Sequence, residues 1–422
     1  MAGVSQPEFG QRLRELRLDR GIKQTELAGG PVSASYVSRL EMGNRLPSPN
    51  ALSYLATTLG VSVDDLVASH GRAGGAGAAV PAPARTTNAD SVRSGLLARA
   101  TAALRGGDTR YVVELLESEL AAPDLEPFGW GWHLLGTLAE AYGRTRELPA
   151  RVDVLRLMLD ISSDWEEAGF VRGGILAELS SDERELGRLE AALDAGRQAV
   201  AATRESRAAE RALALMALAA AETEAGAAAR AAERVAEMLA LVETVPSLTA
   251  AQIYWTCAGV RGRQGDGEEC EGLMSRALET LDSRDDLLAW ARLRMAAGAL
   301  RLRRGRLDDV GRWIEEAGRA VELVGGPAQA ATLLSLKAWL LWGETDYEQA
   351  FVTARQAEET GLLAFHDRLR ARLLQSRCLL HMGRETDALR DLRAVAVEAE
   401  EAGYLDLAAE AWKALASALG SA

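Results

Sequence analysis

The chain has 422 residues, too many for one ordinary hydrophobic core, and 48% of them are hydrophobic, which excludes disorder over most of its length. Its net charge of −13 excludes a protein that coats nucleic acid along its whole surface. Alanine, leucine, arginine and glutamate dominate the later two thirds and aromatic residues make up only 5%, so the composition predicts an all-α protein of two or more folding units.

Further features of the composition indicate where the protein works. Only three of the 48 basic residues are lysine, a bias typical of a GC-rich, bacterial genome. Cys257, Cys270 and Cys378 are far apart and form no CxxC pair, which predicts buried apolar cysteines in a reducing compartment. The first residues are unlike a signal peptide and no uncharged apolar run reaches 18 residues, so we expect a cytoplasmic protein without a membrane span.

Residues 1–69 are predicted to form a small domain of five short helices. Phe9, Leu13 and Leu16 repeat at helical spacing, and Gly21 ends the first helix. A second short helix is expected over 23–28, followed by a tight turn at 29–31 and a third helix over 33–42. Basic and acidic residues balance at seven each in residues 1–70, whereas residues 71–422 carry 41 and 54, so DNA contact is expected in this domain.

The third helix has the character of a helix that enters the major groove of DNA. Val37 and Leu40 are expected to face the core, which leaves small polar residues and Arg39 facing outward. Small side chains permit close approach, and an arginine can reach a guanine edge or a phosphate. The predicted DNA-binding residues are Gln24, Ser33, Ala34, Ser35, Tyr36, Ser38, Arg39, Asn44 and Arg45. The alternative is a small helical domain that contacts another protein.

This segment resembles the Cro/C1-type (XRE) helix-turn-helix family. The matching stretches are Gln24-Thr25-Glu26-Leu27-Ala28, then 32–43, 47–49 and 52–66, where apolar, glycine and polar positions agree together. The turn between Ala28 and Val32 is one residue shorter than in the family. The resemblance implies a DNA-binding domain of about 60 residues, with 33–42 as its recognition helix.

A flexible linker is predicted over 70–90, because glycine, alanine and proline dominate there and cannot supply a packed face. From 91 to 422, amphipathic helices follow one another with short breaks. Glycines recur in these breaks at intervals of 39, 40, 38 and 40 residues, where a left-handed residue would end each helix: Gly226, Gly265, Gly305, Gly343 and Gly383. With Gly107 and Gly143 before them, and Ser181 in the gap, the pattern predicts about eight stacked helix pairs.

The repeats resemble the tetratricopeptide family. Trp132, Leu135 and Gly136 follow that family's first-helix pattern, with Ala139 in place of its usual tyrosine and Gly143 at the turn. The stretch 343–350 resembles the family's turn into the second helix, lengthened by two residues. The period exceeds the family's 34 residues. The resemblance implies a tetratricopeptide-like superhelical solenoid whose first helices line a concave surface.

The sequence predicts no enzyme, metal site or cofactor. His133, His366 and His381 have no paired carboxylate and cysteine at metal-ligand spacing, and there is no phosphate-binding glycine loop. The nine tryptophans all follow residue 91 and are expected mostly to fill the interfaces between helices.

The combination of a helix-turn-helix domain and such repeats resembles the peptide-pheromone receptor regulators of quorum-sensing bacteria. In that family the repeats bind a short secreted peptide and dimerise. Those receptors commonly grip the peptide with asparagines, and this chain has none after Asn88. Arginines are the predicted replacement, as clamps for a carboxylate: Arg292, Arg294, Arg368 and Arg372. The alternative for these four is an ordinary solvated helix surface.

The sequence therefore predicts a homodimeric, sequence-specific transcriptional regulator. It would bind a palindromic double-stranded DNA operator with half-sites about one helical turn, ~34 Å, apart. Its repeats would dimerise and sense a peptide or small-molecule signal. The alternative is a scaffold whose repeats bind another protein and whose helix-turn-helix only localises it to DNA.

Overall fold

The computed structural model describes residues 8–20, 22–24, 27–29, 32, 34–41, 47, 49–61, 63, 66, 88–120, 130–163, 165 and 169–420. The chain divides into two compact units, Met1–Arg85 and Thr86–Ala422. Both are helical over their described residues, which confirms the all-α prediction, and the one strand-type pairing among those residues is a bridge between Gly29 and Val32. No helix in the described part is long and apolar enough to cross a membrane.

The N-terminal unit contains three described helices: α1 (Glu8–Asp19), α2 (Ala34–Glu41) and α3 (Pro49–Leu59). Its core is a single buried cluster to which each of them contributes. Leu13, Val37, Leu40 and Leu55 are completely inaccessible to solvent. The predicted inward faces of the first and third helices are therefore confirmed.

The predicted helix at 23–28 is reduced to one turn at its described positions. Lys23, Gln24, Leu27 and Ala28 are not helical, although the Leu27 N–H donates to the Lys23 carbonyl at 3.0 Å. Six residues are too few to form a stable helix without strong capping. Leu27 and Ala28 lead directly to the turn before α2.

The described part of the repeat unit consists of helices of 12 to 18 residues, in eight antiparallel pairs followed by one further helix. They are α4 (Asn88–Arg105), α5 (Thr109–Leu120), α6 (Trp130–Thr145), α7 (Leu148–Ile161), α8 (Gly169–Glu185), α9 (Leu189–Ala202), α10 (Ala208–Glu224), α11 (Ala228–Leu241), α12 (Ser247–Arg263), α13 (Gly267–Thr280), α14 (Leu287–Arg303), α15 (Val310–Val324), α16 (Pro327–Gly343), α17 (Tyr347–Glu359), α18 (Phe365–His381), α19 (Glu385–Glu401) and α20 (Leu405–Gly420). The first helix of a pair also contacts the first helix of the next in most of the array, as α8 contacts α10 and α10 contacts α12.

A left-handed residue ends the first helix of each pair. These residues are Gly107, Arg146, Gly187, Gly226, Gly265, Gly305, Thr345 and Gly383. The prediction was right at Gly107 and at four of the five regular glycines, and wrong at Gly143 and Gly343, which lie inside α6 and at the end of α16. Ser181 does not fill the gap, because it lies in the middle of α8 and Gly187 makes that turn.

A buried small residue lies seven positions before each left-handed residue. In three of the turns it directly contacts the residue five positions after the left-handed one, in the pairs Ala139–Arg151, Ser180–Ala192 and Gly298–Val310. The small residues are Ala100, Ala139, Ser180, Ala219, Ala258, Gly298, Ala338 and Ser376. Ser180 Oγ donates to the Ala192 carbonyl at 2.7 Å, and Arg151 Nε donates to the Ala139 carbonyl at 3.1 Å. Small side chains at these positions allow the two helices of a pair to approach closely.

The solenoid closes on itself after five pairs. α18 contacts α8, and a Cβ on Gly187 would lie 2.6 Å from ring atoms of Phe365. The Tyr404 hydroxyl donates to the Arg184 carbonyl at 2.5 Å. Residues of α9, α10, α18, α19 and α20 share one buried apolar cluster.

A superhelical turn is therefore complete within the repeat unit. We call the contact of α18–α20 with α8–α10 and α12 the seam. An ion pair between Arg263 and Asp406, at 2.6 Å, also crosses it. Since these partners are 143 positions apart in the chain, the seam joins the middle of the solenoid to its last helices.

Candidate DNA-binding site

The orientation of α2 is fixed by the side chains on its inner face. Val37 and Leu40 are buried in the domain core, and Tyr36 is half-buried against the same cluster. Ser38 is half-buried and Arg39, in the last turn, is exposed. The helix therefore has a fixed inner face and an outer face that ends in a basic residue, which is the geometry that groove recognition requires.

A buried ion pair holds the C-terminal end of α2 against α1. Arg17 Nε donates to Glu41 Oε1 at 2.5 Å, and Arg17 Nη2 donates to Glu41 Oε2 at 3.0 Å. The hydrogen bond to Glu41 raises the pKa of Arg17 above its ordinary value. A bidentate pair with both partners desolvated fixes the relative orientation of the two helices.

The same carboxylate holds Gln24, which was predicted to contact DNA. The Gln24 amide Nε2 donates to Glu41 Oε2 at 2.7 Å. Arg17 donates in addition to the Ile22 carbonyl at 2.9 Å, so the segment before α2 is tied to both helices. The structure thus gives Gln24 an internal partner, and its contact with DNA stays a prediction.

The turn that leads into α2 depends on a glycine. Gly29 and Val32 exchange two backbone hydrogen bonds, at 2.8 and 3.0 Å. A Cβ on Gly29 would lie 2.1 Å from the Tyr54 hydroxyl oxygen, so α3 packs directly on the turn. The predicted tight turn is present, and Tyr54 is the reason that it needs glycine at this position.

Several predicted contacts have no described side chain. Ala34 and Ser35 are described only as the first residues of α2. Ser33, Asn44 and Arg45 lie outside the described residues. Of the predicted set, the structure brings Tyr36, Ser38 and Arg39 together on one helix.

Residues 8–69 match a protein family described as a helix-turn-helix domain. The N-terminal unit is a helix-turn-helix domain. Over 58 residues the chain is 45% identical to the HTH-type transcriptional regulator DdrOP3 of Deinococcus deserti. That match covers 14% of this chain and 45% of the relative, so the chain spans less than half of the relative's length. The resemblance to the XRE type is confirmed for the helix-turn-helix domain.

In the repeat unit, the four arginines predicted to bind a ligand form two separate pairs. Arg294 stacks on Trp290, with its guanidinium carbon 3.3 Å from the ring centroid, and binds Glu316 at 2.7 Å. Desolvation lowers the pKa of Arg294. Arg292 is exposed two residues away, on a different side of the helix. The first pair therefore does not converge on one point.

The second pair does converge. Arg368 and Arg372 lie one turn apart on α18 and both bind Glu398 of α19, Arg368 at 2.7 Å. A ligand carboxylate would have to compete with Glu398 for both guanidinium groups. Ligand binding by the four arginines stays a prediction.

An open surface groove lies elsewhere in the repeat unit. It is bordered by the N-terminus of α8, the C-terminus of α9 and the start of α10. Phe170, exposed over 53% of its surface, lines it together with Arg204 and Arg207. None of the four predicted arginines lines it.

The cysteines and histidines of the repeat unit lie on α6, α12, α13 and α18. All three cysteines are buried, as predicted, and burial raises the pKa of Cys257 and of Cys378 to about 12. His366 Nδ1 lies 3.4 Å from Asp367. Within the described part of the chain, no group of three or more histidine, cysteine, aspartate or glutamate side chains is placed to hold a metal ion.

Two solved structures share the fold of the chain. The quorum sensor NprR from B. thuringiensis, in its apo form, is 11% identical with a TM-score of 0.52, and the similarity covers 74% of this chain and 89% of that one. A Rap protein complexed with competence and sporulation factor is also 11% identical with a TM-score of 0.52, over 98% of both chains. At this identity the similarity shows the fold alone, and it confirms the tetratricopeptide-like solenoid.

Proposed function

We propose that the protein is a sequence-specific DNA-binding regulator of transcription, homodimeric, with a repeat unit that senses a peptide or small-molecule signal. The DNA-binding part of the proposal rests on the helix-turn-helix domain. In this domain a buried core and the Arg17–Glu41 pair hold α2 in place, while Arg39 is exposed. The role of DdrOP3 as a transcriptional regulator supports the same function.

The seam supports the sensing part of the proposal. It is closed partly by polar contacts, the Tyr404–Arg184 hydrogen bond and the Arg263–Asp406 ion pair, which are weaker and more easily exchanged than apolar packing. In the proposed mechanism the seam exists in a closed and an open arrangement. A ligand that binds one of them more tightly would increase the population of that arrangement. The shared fold with a quorum sensor makes a signalling molecule the natural class of ligand.

Capture of genomic DNA tests the DNA-binding part. Purified full-length protein is incubated with sheared genomic DNA at near-physiological salt, and the retained fragments are sequenced. We expect a recurring palindrome with half-sites about one helical turn apart. Retention of fragments without any enriched sequence would contradict sequence-specific binding and would favour a scaffold that DNA contact merely localises.

A further inference from the structure

The last helix, α20, carries an exposed apolar stripe. Five residues share this face, at alternating intervals of four and three: Leu405, Ala409, Trp412, Ala416 and Leu419. All five are exposed, and Leu405 and Leu419 are exposed over 54% and 58% of their surface. Alternating intervals of four and three residues are the apolar repeat of a coiled coil. They place the five side chains within roughly 80° of one another around the helix axis.

The stripe is separate from the face that α20 uses inside the solenoid. Leu407, Ala408 and Ala411 are buried in the cluster shared with α18 and α19. On the other side of the stripe, Asp406 is held by Arg263 across the seam. The five stripe residues therefore lie on a different face from the one that packs on α18 and α19, and a narrow apolar stripe on a fixed helix is typical of a protein interface.

The order of side chains points to the partner. The stripe reads large, small, large, small, large from either end of the helix. A two-fold interface uses the same patch on both subunits and must therefore be complementary to itself. When two copies of α20 run antiparallel, Trp412 of one lies over Ala416 of the other, and Leu419 lies over Ala409. Trp412 and Leu419 of each copy then meet an alanine, as close packing requires, and Leu405 lies beyond Gly420, the last residue of the partner's helix.

We propose that this stripe is the homodimer interface, in which α20 packs against α20 of a second copy of the chain. The proposal rests on the dimer in the proposed function and assigns its surface. A stable interface buries roughly 800 Å² per partner, more than one narrow stripe supplies. The adjoining face of α19 extends it, because Trp412 Nε1 donates to Glu400 at 3.2 Å and Val397, one turn before Glu400, is 38% exposed.

The mass of the full-length protein in solution, measured by light scattering after size exclusion at tens of micromolar, tests this assignment. Wild type should have twice the chain mass of 45.1 kDa. Ala416→Glu should be monomeric, because it places a charge inside the stripe. The control Leu323→Glu, at a leucine 77% exposed on α15, should stay dimeric. A monomeric wild type, or a dimeric Ala416→Glu, would overturn the proposal.

A size swap distinguishes pairing of the stripe from loss of folding. Trp412→Ala removes the large side chain and Ala416→Trp sets large against large, so each single change should weaken the dimer. The double change Trp412→Ala/Ala416→Trp restores large on small and should recover it. Helical content by circular dichroism reports the fold of every variant. Failure of the swap to recover the dimer would overturn the proposed pairing, whereas DNA capture tests the proposed function independently of it.

Discussion

At the scale of single residues, the Arg17–Glu41 pair determines how α2 is presented. Its partners are 24 positions apart and almost completely buried. The pair was not predictable from the sequence, because neither helical period nor charge spacing links Arg17 to a residue so distant. Core positions such as Val37 and Leu40 were predictable, since they follow from the periodicity of one helix.

Glu41→Ala should therefore destabilise the helix-turn-helix domain by about 3–5 kcal/mol, because it leaves the Arg17 charge buried and unpaired. Hydrogen exchange of peptides from 8–66 in the full chain measures this locally, as faster exchange. The double variant Arg17→Met/Glu41→Leu removes both charges and should lie close to wild type. Equal exchange in wild type and Glu41→Ala would show that the pair contributes nothing.

Asp182 of α8 should make stability depend on pH. Burial raises its pKa to about 6, although Arg151 binds it at 2.6 and 2.8 Å. The folded state then holds the proton more tightly than the unfolded state, so the contribution of Asp182 falls as pH rises from about 4 to about 6 and is constant above that. At about 1.4 kcal/mol per pKa unit, the loss is at most about 3 kcal/mol.

Urea unfolding of wild type and Asp182→Asn at pH 4 and pH 7 measures the effect. Relative to the variant, wild type should be less stable at pH 7 than at pH 4. Glu178→Gln, which removes an exposed carboxylate from the same arginine, is the control and should change the free energy of unfolding by less than about 1 kcal/mol. A wild-type-to-Asn difference that is the same at both pH values would refute the assignment.

At the scale of helices, the period of the repeat was predictable, but the position of the left-handed residue was not predictable in every pair. Glycine marks most left-handed turns, yet Arg146 and Thr345 take that conformation as well. Because the turns were expected at glycines, Gly143 and Gly343 were predicted to be left-handed turn residues, and neither of them is. A Cβ on Gly343 would lie 2.5 Å from Leu307, so this glycine permits close approach to the preceding pair rather than a positive φ.

Two turn glycines offer a matched test of the seam. Gly187 and Gly265 have φ of 83° and 82°, so alanine should cost each about 1–2 kcal/mol. Only Gly187 faces Phe365, whereas no heavy atom lies within 4 Å of a Cβ on Gly265. Gly187→Ala should therefore be less stable than Gly265→Ala by a further 1–3 kcal/mol, roughly the cost of overpacking. Urea unfolding followed by tryptophan fluorescence measures both, and equal losses would mean that the seam does not form in solution.

At the scale of the whole molecule, the two units were predictable and the seam was not. Composition, a domain-sized match and a regular repeat define a helix-turn-helix domain and a solenoid. The closure of the solenoid depends on contacts such as Tyr404 with Arg184, 220 positions apart, and a single sequence carries no local signal for them. The exposed stripe of α20 was visible as an amphipathic pattern, but its exposure became evident only once the buried face of that helix was defined.

Under the proposed function, α2 of the helix-turn-helix domain reads the DNA sequence through its exposed face. This is tested by measuring the affinity of three full-length proteins, wild type, Arg39→Ala and Arg319→Ala, at one salt concentration. Each is measured on a captured site and on a duplex with the same bases in scrambled order. Arg319→Ala is the control, because the Arg319 side chain is 76% exposed on α15 of the repeat unit. We expect Arg39→Ala to lower the affinity for the captured site by roughly 5- to 150-fold, which corresponds to about 1–3 kcal/mol of binding free energy. Arg319→Ala should bind the captured site with the affinity of wild type. Unchanged affinity of Arg39→Ala for the captured site, or equal binding of wild type to both duplexes, would contradict the claim.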